Sequence, residues 1–333
     1  MCSCMTLVVL YNDFAYSFRK VGQLIAKYLA YYDEVYYAPL YLASISPINR
    51  ARAVVVVDDC FSGLESPITR MVASQKPTIL WCDTWHMPAQ PTHYTTPKNL
   101  YVVATSRWNA EILGDLGVPI HDIVPRPIDD AARKIAPKPT PTVLFVGTDV
   151  SYRGRKGIDI VDKVMQVIAK EDPSIRRICI VNYTLASCDR HRYGSIKEVD
   201  LLELMAQSVL IWPSRAEGFG MPVAENMAVS TRLVYSDVPA HNEFARGIPI
   251  KPISEGVKPS SVRVGFIMPW YEFDIMEFAE AAIKAAHAFF DPAIREYALE
   301  NFLGTHVAYK LLKIIDVIAT ERETTKKVAV TAR

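Results

Sequence analysis

Residues Ser214 to Ala228 read SRAEGFGMPVAENMA. Two carboxylates, Glu217 and Glu225, stand eight positions apart, with Gly218, Phe219 and Gly220 between them and a proline at 222. The apolar run Leu210-Ile211-Trp212 just before reads as a strand reaching its carboxyl end. Glycine lets backbone take positive φ or pass close to a ligand, and Pro222 suits the first position of a helix. The first amides of that helix have no partner within it and, with the helix dipole, favour a phosphate. Carboxylates beside them accept hydrogen bonds from the hydroxyls of a ribose or a sugar ring. A diphosphate flanked by two hydroxyl-bearing rings is a nucleotide sugar. Either glutamate alone reads more simply as a solvated side chain; the whole string does not.

A second stretch, FVGTDVSYRGRKGIDIV over 145–161, reads as a strand, a loop carrying Arg153, Arg155 and Lys156, and a helix. Cations on a loop at a strand's carboxyl end suit a departing diphosphate, whose charge grows as its bond breaks. The plainer reading is a solvated basic turn. In LWCDTWHMPAQP, His86 follows a strand and precedes a proline-broken loop, with Asp83 and Trp85 nearby and His93 as its rival. No Asp-x-Asp pair is present and Asp58-Asp59 are adjacent, so no metal site is expected. No G-x-G-x-x-G follows the first strand, which argues against a nicotinamide enzyme.

These groups need a frame. The chain has 333 residues, enough for two domains, and half are hydrophobic. A formal charge of +1 gives no global field for nucleic acid. No apolar run approaches the ~20 residues of a membrane span. The start lacks a basic region followed by an apolar one, so no secretory signal and a cytoplasmic location are expected. The six cysteines are scattered, suggesting neither a zinc site nor a secreted disulfide framework and a reducing compartment; Cys2-x-Cys4 reads as two free thiols at a frayed terminus, with a metal or redox pair as the alternative.

Apolar bursts at 7–10, 34–37, 53–57, 78–82 and 100–104 alternate with helical patterns at 18–29, 67–74 and 106–116. That alternation predicts a parallel, doubly wound sheet whose strands are covered on both faces. Prolines at 125, 127, 137, 139 and 141 read as a linker. Alternation then restarts, with strands at 143–146, 177–181, 209–212, 233–235 and 266–268 and helices at 157–170, 199–207, 222–229 and 273–290. The expected division is 1–130, a linker at 131–141, 142–290, carboxyl-terminal helices at 291–320 packing back toward the first domain, and a mobile polar tail at 321–333. Ligands of such folds lie at the carboxyl ends of strands, and two facing domains offer a cleft. The helix at 18–29 carries Arg19, Lys20 and Lys27 and reads as core-facing, with peripheral membrane contact as the alternative.

The string EGFGMPVAENMA resembles the E-x7-E signature of family 4 of the retaining, GT-B-fold glycosyltransferases, and the likeness extends well over 142–290 and loosely over the amino-terminal half. DLLELMAQSVLIWPSRAEGFG, VYSDVPAHNEFARG and VGFIMP resemble the segments around that motif. The resemblance implies an α/β GT-B fold, two Rossmann-like domains facing across a cleft. It implies that Glu225 binds the donor ribose, that Glu217 meets hydroxyls of the transferred sugar, and that the amides of Gly218, Phe219 and Gly220 lie at sugar and diphosphate. His86 would contact the donor sugar. The family's Gly-Arg … Lys-Gly loop is matched by Gly147 and Lys156-Gly157, but Thr148 stands where arginine is usual, leaving Arg153 or Arg155 to supply the charge. The first turn, Tyr11-Asn12-Asp13-Phe14, lacks the family's glycines. The implied activity is metal-independent transfer, with retention, from a UDP- or GDP-type sugar to an acceptor held by the amino-terminal domain. That acceptor is a glycan, lipid, protein or small molecule, and no cofactor is implied. A GT-B epimerase or phosphorylase, and a non-catalytic nucleotide-sugar-binding protein, are the rival readings.

Overall fold

The computed structural model describes residues 6–147, 154–182, 185, 187–192, 196–230, 232–260, 262–288 and 291–331. The chain forms two compact units. The first comprises residues 1–84, 92–129 and 302–333, and the second 85–91 and 130–301.

In chain order the first part holds β1 (Thr6–Tyr11), α1 (Tyr16–Leu29), β2 (Glu34–Pro39), β3 (Ala51–Asp59), α2 (Cys60–Glu65), α3 (Pro67–Gln75), β4 (Thr78–Asp83), β5 (Met87–Pro88), β6 (Leu100–Ala104), α4 (Arg107–Asp115) and β7 (Ile120–Ile123). All but β5 among these strands form one parallel sheet in the order β2-β1-β3-β4-β6-β7. Val54 to Val57 are fully buried, as expected of a strand covered on both faces. The helices start where the side chains permit. Asp59, Ser66 and Ser106 accept the first free amides of α2, α3 and α4, and Pro67 opens α3.

At the centre of that sheet the strand order reverses between β1 and β3. There Asn12 Nδ2 donates to Asp58 Oδ1 at 2.6 Å, and the Asp59 amide donates to the same oxygen at 2.7 Å. Asp58 is buried, and burial pushes its carboxyl up to about 7 against the pull of these two bonds. A raised value means that the protonated form is the easier one to bury, so the cost grows as pH rises from about 4 to 7. Asp58→Asn keeps the accepting oxygen. It is expected to stabilise the first unit by about 3 kcal/mol at pH 8 and by almost nothing at pH 4, read by urea unfolding at both.

The second part holds β8 (Thr142–Val146), α5 (Ile158–Glu171), β9 (Arg176–Val181), β10 (Asp189–Arg192), α6 (Glu198–Gln207), β11 (Val209–Trp212), α7 (Met221–Val229), β12 (Leu233–Ser236), α8 (His241–Phe244), β13 (Ile248–Ile250), β14 (Ser254–Pro259), β15 (Phe266–Glu272), α9 (Ile275–Ala286), α10 (Pro292–Phe302) and α11 (Gly304–Thr331). Its parallel sheet has the order β10-β9-β8-β11-β12-β13. That is the doubly wound Rossmann order, with its switch point between β8 and β11. The strand expected at 266–268 lies outside this sheet. It is longer, and it pairs antiparallel with β14 on one side and with β5 on the other. The proline-rich connection is not structureless either. Residues Asp130–Lys134 make a 3-10 turn, and Ile128 forms a lone bridge to Leu303. Through 321–331, expected as a mobile tail, the backbone continues α11. Among the described residues no helix is long and apolar enough to cross a membrane.

The expectation of no disulfide framework is overturned for four cysteines; Cys2 and Cys4, expected as free thiols, lie outside the described residues. Cys60 is bonded to Cys82, and Cys179 to Cys188. In the parallel register of β3 and β4, Cys82 stands opposite Asp58, and where β3 gives way to α2 the chain places Cys60 4.8 Å (Cα–Cα) from Cys82. Cys188 immediately precedes β10, whose first residue Asp189 opposes Ile178 of β9, and it lies 6.0 Å (Cα–Cα) from Cys179. Residues scattered along the chain are neighbours across a sheet.

Candidate functional site

The loops leaving β8 and β11 straddle the switch point and are tied together by backbone. The Arg215 amide donates to the Arg155 carbonyl at 2.7 Å, and Arg155 Nη1 donates to the Ala216 carbonyl at 2.8 Å. Gly157 has φ +72°, and a Cβ on it would lie 2.1 Å from the Pro213 carbonyl oxygen. Glycine is therefore required there on two counts, and it lets Lys156 stand over the second loop. Arg215 is a strut. Its buried guanidinium grips Asp159 at 2.7 and 2.8 Å and Glu272 at 2.9 Å, and lies on the Trp270 ring. Its charge is thereby neutralised.

Glu217 is the centre of the cluster. It is 6% exposed, accepts from Lys156 Nζ and from Ser214 Oγ (2.8 Å), and lies 3.5 Å from Arg155 Nη1. Burial alone would raise its carboxyl. The Lys156, Arg155 and His241 fields and the Lys156 hydrogen bond outweigh burial and hold it at about 2. Lys156 lies over the Trp212 ring, 4.9 Å away, and Arg155 over that of Trp85, 4.6 Å away. Two cations against one carboxylate leave a local positive balance. The amino terminus of α7 adds to it, because its first amides have no partner within the helix.

The turn before α7 carries one left-handed glycine, and a proline opens the helix. Gly220 has φ +92°, and a Cβ there would strike His241 Nε2 at 2.7 Å. Phe219 is buried and stacks on Phe244 with ring centres 4.6 Å apart. Gly218 precedes it. Glu225 is buried one turn along α7. Gly147 follows β8, with its amide on the Ile180 carbonyl. Arg153 and Thr148 lie outside the described residues.

His86 sits in the second unit, 4% exposed, packed against Trp85 and Phe266, with Nδ1 3.4 Å from Ser260 Oγ. The contact from that segment to the cationic cluster is made by its neighbour Trp85 on Arg155. The structure thus brings together Glu217, Lys156, Arg155 and Gly220, and adds Ser214, Trp212, Trp85 and His241. His241 lies in VYSDVPAHNEFARG but carried no motif of its own. The fully buried imidazole is pushed down to about 4 by burial, against the pull of Glu217 and with the help of Lys156. It is neutral at ordinary pH.

No protein-family model matches the chain. It is 27% identical over 344 residues to "Putative glycosyltransferase ORF378" of Acidianus filamentous virus 2, covering 86% of this chain and 88% of that one. Among solved structures it is similar to AviGT4, a glycosyltransferase of avilamycin A biosynthesis, at TM-score 0.59 and 12% identity over 95% of this chain and 98% of that one. It is also similar to the pneumococcal O-GlcNAc transferase GtfA, solved with UDP and GlcNAc, at TM-score 0.54 and 14% identity over 80% of this chain. The chain spans 56% of GtfA's length. The fold shared with these structures is GT-B, in which each unit is Rossmann-like.

Proposed function

We propose that this chain is a glycosyltransferase whose donor, a UDP- or GDP-type sugar, binds the second unit at the Glu217 cluster. The observation that carries the reading is a buried, ionised Glu217 held by two cations at the amino terminus of α7, on a Rossmann switch point. Ligands of doubly wound sheets bind at such points. The similarity to the viral protein and to two transferase structures supports it.

The charges divide the work. Lys156, Arg155 and the α7 amides face the diphosphate and stabilise the negative charge that grows as its bond to the sugar breaks. They supply the positive charge that a divalent ion supplies elsewhere, which supports metal-independent transfer. Glu217, ionised well below neutral pH, accepts hydrogen bonds from sugar hydroxyls and has no proton to give a leaving group. Bound to Lys156 and Ser214, it is also a poor nucleophile. That favours retention by departure and attack on one face, with the leaving phosphate taking the acceptor's proton. Glu225 accepts the ribose hydroxyls. The acceptor falls to the first unit, whose own switch point carries Asn12 and Asp58 beside the fully exposed Phe14.

Glu225→Ala tests this. Affinity for UDP or GDP, whichever raises the melting temperature of the parent protein, is expected to fall about tenfold or more, as for a lost charged hydrogen bond. Unchanged nucleotide affinity would remove Glu225 from the site. A parent protein that binds neither diphosphate would remove the donor reading altogether.

A further inference from the structure

Cations are not the only groups that hold the central glutamate. Behind it runs a line of buried hydrogen bonds through the ends of β11 and β12. Trp212 Nε1 lies 3.1 Å from His241 Nε2. An indole N–H can only donate, so Nε2 accepts and the imidazole proton resides on Nδ1. Nδ1 lies 3.3 Å from the Ser236 carbonyl and donates to it. Ser236 Oγ donates to the Ser214 carbonyl at 2.6 Å, and Ser214 Oγ donates to Glu217 Oε1 at 2.8 Å. Trp212, Ser214, Ser236 and His241 are each at most 1% exposed, so water offers none of them an alternative partner.

Two backbone features converge on the same ring. Gly220, in its left-handed conformation, rests on Nε2 so closely that a methyl group would not fit. Ala240, the residue before His241, has φ +68° and is the one non-glycine with positive φ among the described residues. Such a conformation persists only where the surroundings impose it, and it is concentrated at functional sites.

We infer that His241 is a positioning residue of the donor site. As a neutral imidazole protonated at Nδ1, it ties β12 to Trp212 and props the 218–220 turn, thereby aiming Glu217 and the first amides of α7. The inference rests on the donor reading given above. A histidine meets the demand because it offers an acceptor and a donor on opposite edges of one small flat ring. A phenylalanine fills the space but strands the indole N–H and leaves the Ser236 carbonyl with the Val238 amide alone (3.0 Å), cutting the tie from β12 to Trp212. A cation would be buried in the field of Lys156. The ring touches no reacting atom and acts through the turn and the serines.

His241→Phe and His241→Gln separate the roles, since the glutamine amide oxygen reaches toward the position of Nε2. The ligands are UDP and GDP, titrated against the full chain. The second readout is the indole N–H resonance of Trp212, assigned with Trp212→Phe. His241→Phe is expected to move that resonance to the position of an unbonded indole and to weaken diphosphate binding about tenfold. His241→Gln is expected to restore the resonance and most of the affinity. A shifted resonance with parental affinity in His241→Phe overturns the inference, and so does a resonance that does not move. If His241→Phe fails to fold, Ser236→Ala removes one hydroxyl from the same line. It is expected to weaken binding about threefold, and parental affinity there overturns the inference. A parent protein that binds neither nucleotide but shows the bonded indole overturns the donor reading instead.

Discussion

Lys156→Met is expected to destabilise the second unit by about 3 kcal/mol and to abolish measurable transfer. Glu217 is buried and ionised, and the lysine is its principal counter-charge. Removing one partner of a buried pair leaves the other charge stranded, which typically costs about 3–5 kcal/mol. Arg155, 3.5 Å away, keeps the loss at the lower end. Lys156→Met combined with Glu217→Gln removes both charges and is expected to recover most of the stability without recovering activity. Urea unfolding of the two single variants and the double variant measures the coupling, and a turnover assay measures the chemistry. The pH dependence follows with a definite sign. A carboxyl held at about 2 stabilises the parent protein at neutral pH, and that contribution fades as pH falls from about 4.5 toward 2. It is absent from Glu217→Gln. Additive single-variant effects would separate the two residues and dismantle the site.

The second large effect comes from the disulfides. Replacing Cys60 and Cys82 together by alanine is expected to cost about 3 kcal/mol, from the freedom returned to the unfolded loop between them. The Cys179–Cys188 pair closes a shorter loop, with a separation of 9 against 22 residues, and is expected to cost somewhat less. Each pair lies within one unit, so calorimetry of the two double variants should lower different transitions. A reductant should lower both in the parent protein and neither in the variant lacking all four cysteines. Melting curves that ignore the substitutions and the reductant alike would mean that the bonds contribute nothing.

The β3 and β8 strands were legible because strands covered on both faces are unbroken apolar runs. The strand-turn-helix at 209–229 was legible because its glycines and proline each answer a distinct backbone demand. Other elements left no such trace. All six residues of β14 are exposed, and three of the four in β7, so neither shows a core-facing period. The cysteine pairs depend on the register between strands, which spacing along the chain does not encode. The strand before His86 was legible, but the packing of His86 on Phe266 and of Trp85 on Arg155 joins residues far apart in the chain, which spacing does not encode. His241 carries no sequence signal, because the partners of its two nitrogens, Trp212 and Ser236, lie on strands that only the fold brings beside it.

The two units are interleaved along the gene. One is assembled from three stretches of chain and the other from two, so the polypeptide passes between them four times. Residues 87 and 88 complete the edge of the sheet containing β15 in the second unit. In the first unit α11 lies against α1, with Gly304 close enough to Tyr28 that no side chain would fit. A clone cut at a single point near residue 130 therefore yields no complete half. One fragment lacks its closing helix and the other lacks an edge strand. Recombination that exchanged one unit for another would have to move discontinuous segments together, so the inheritance of these units is bound to the whole reading frame.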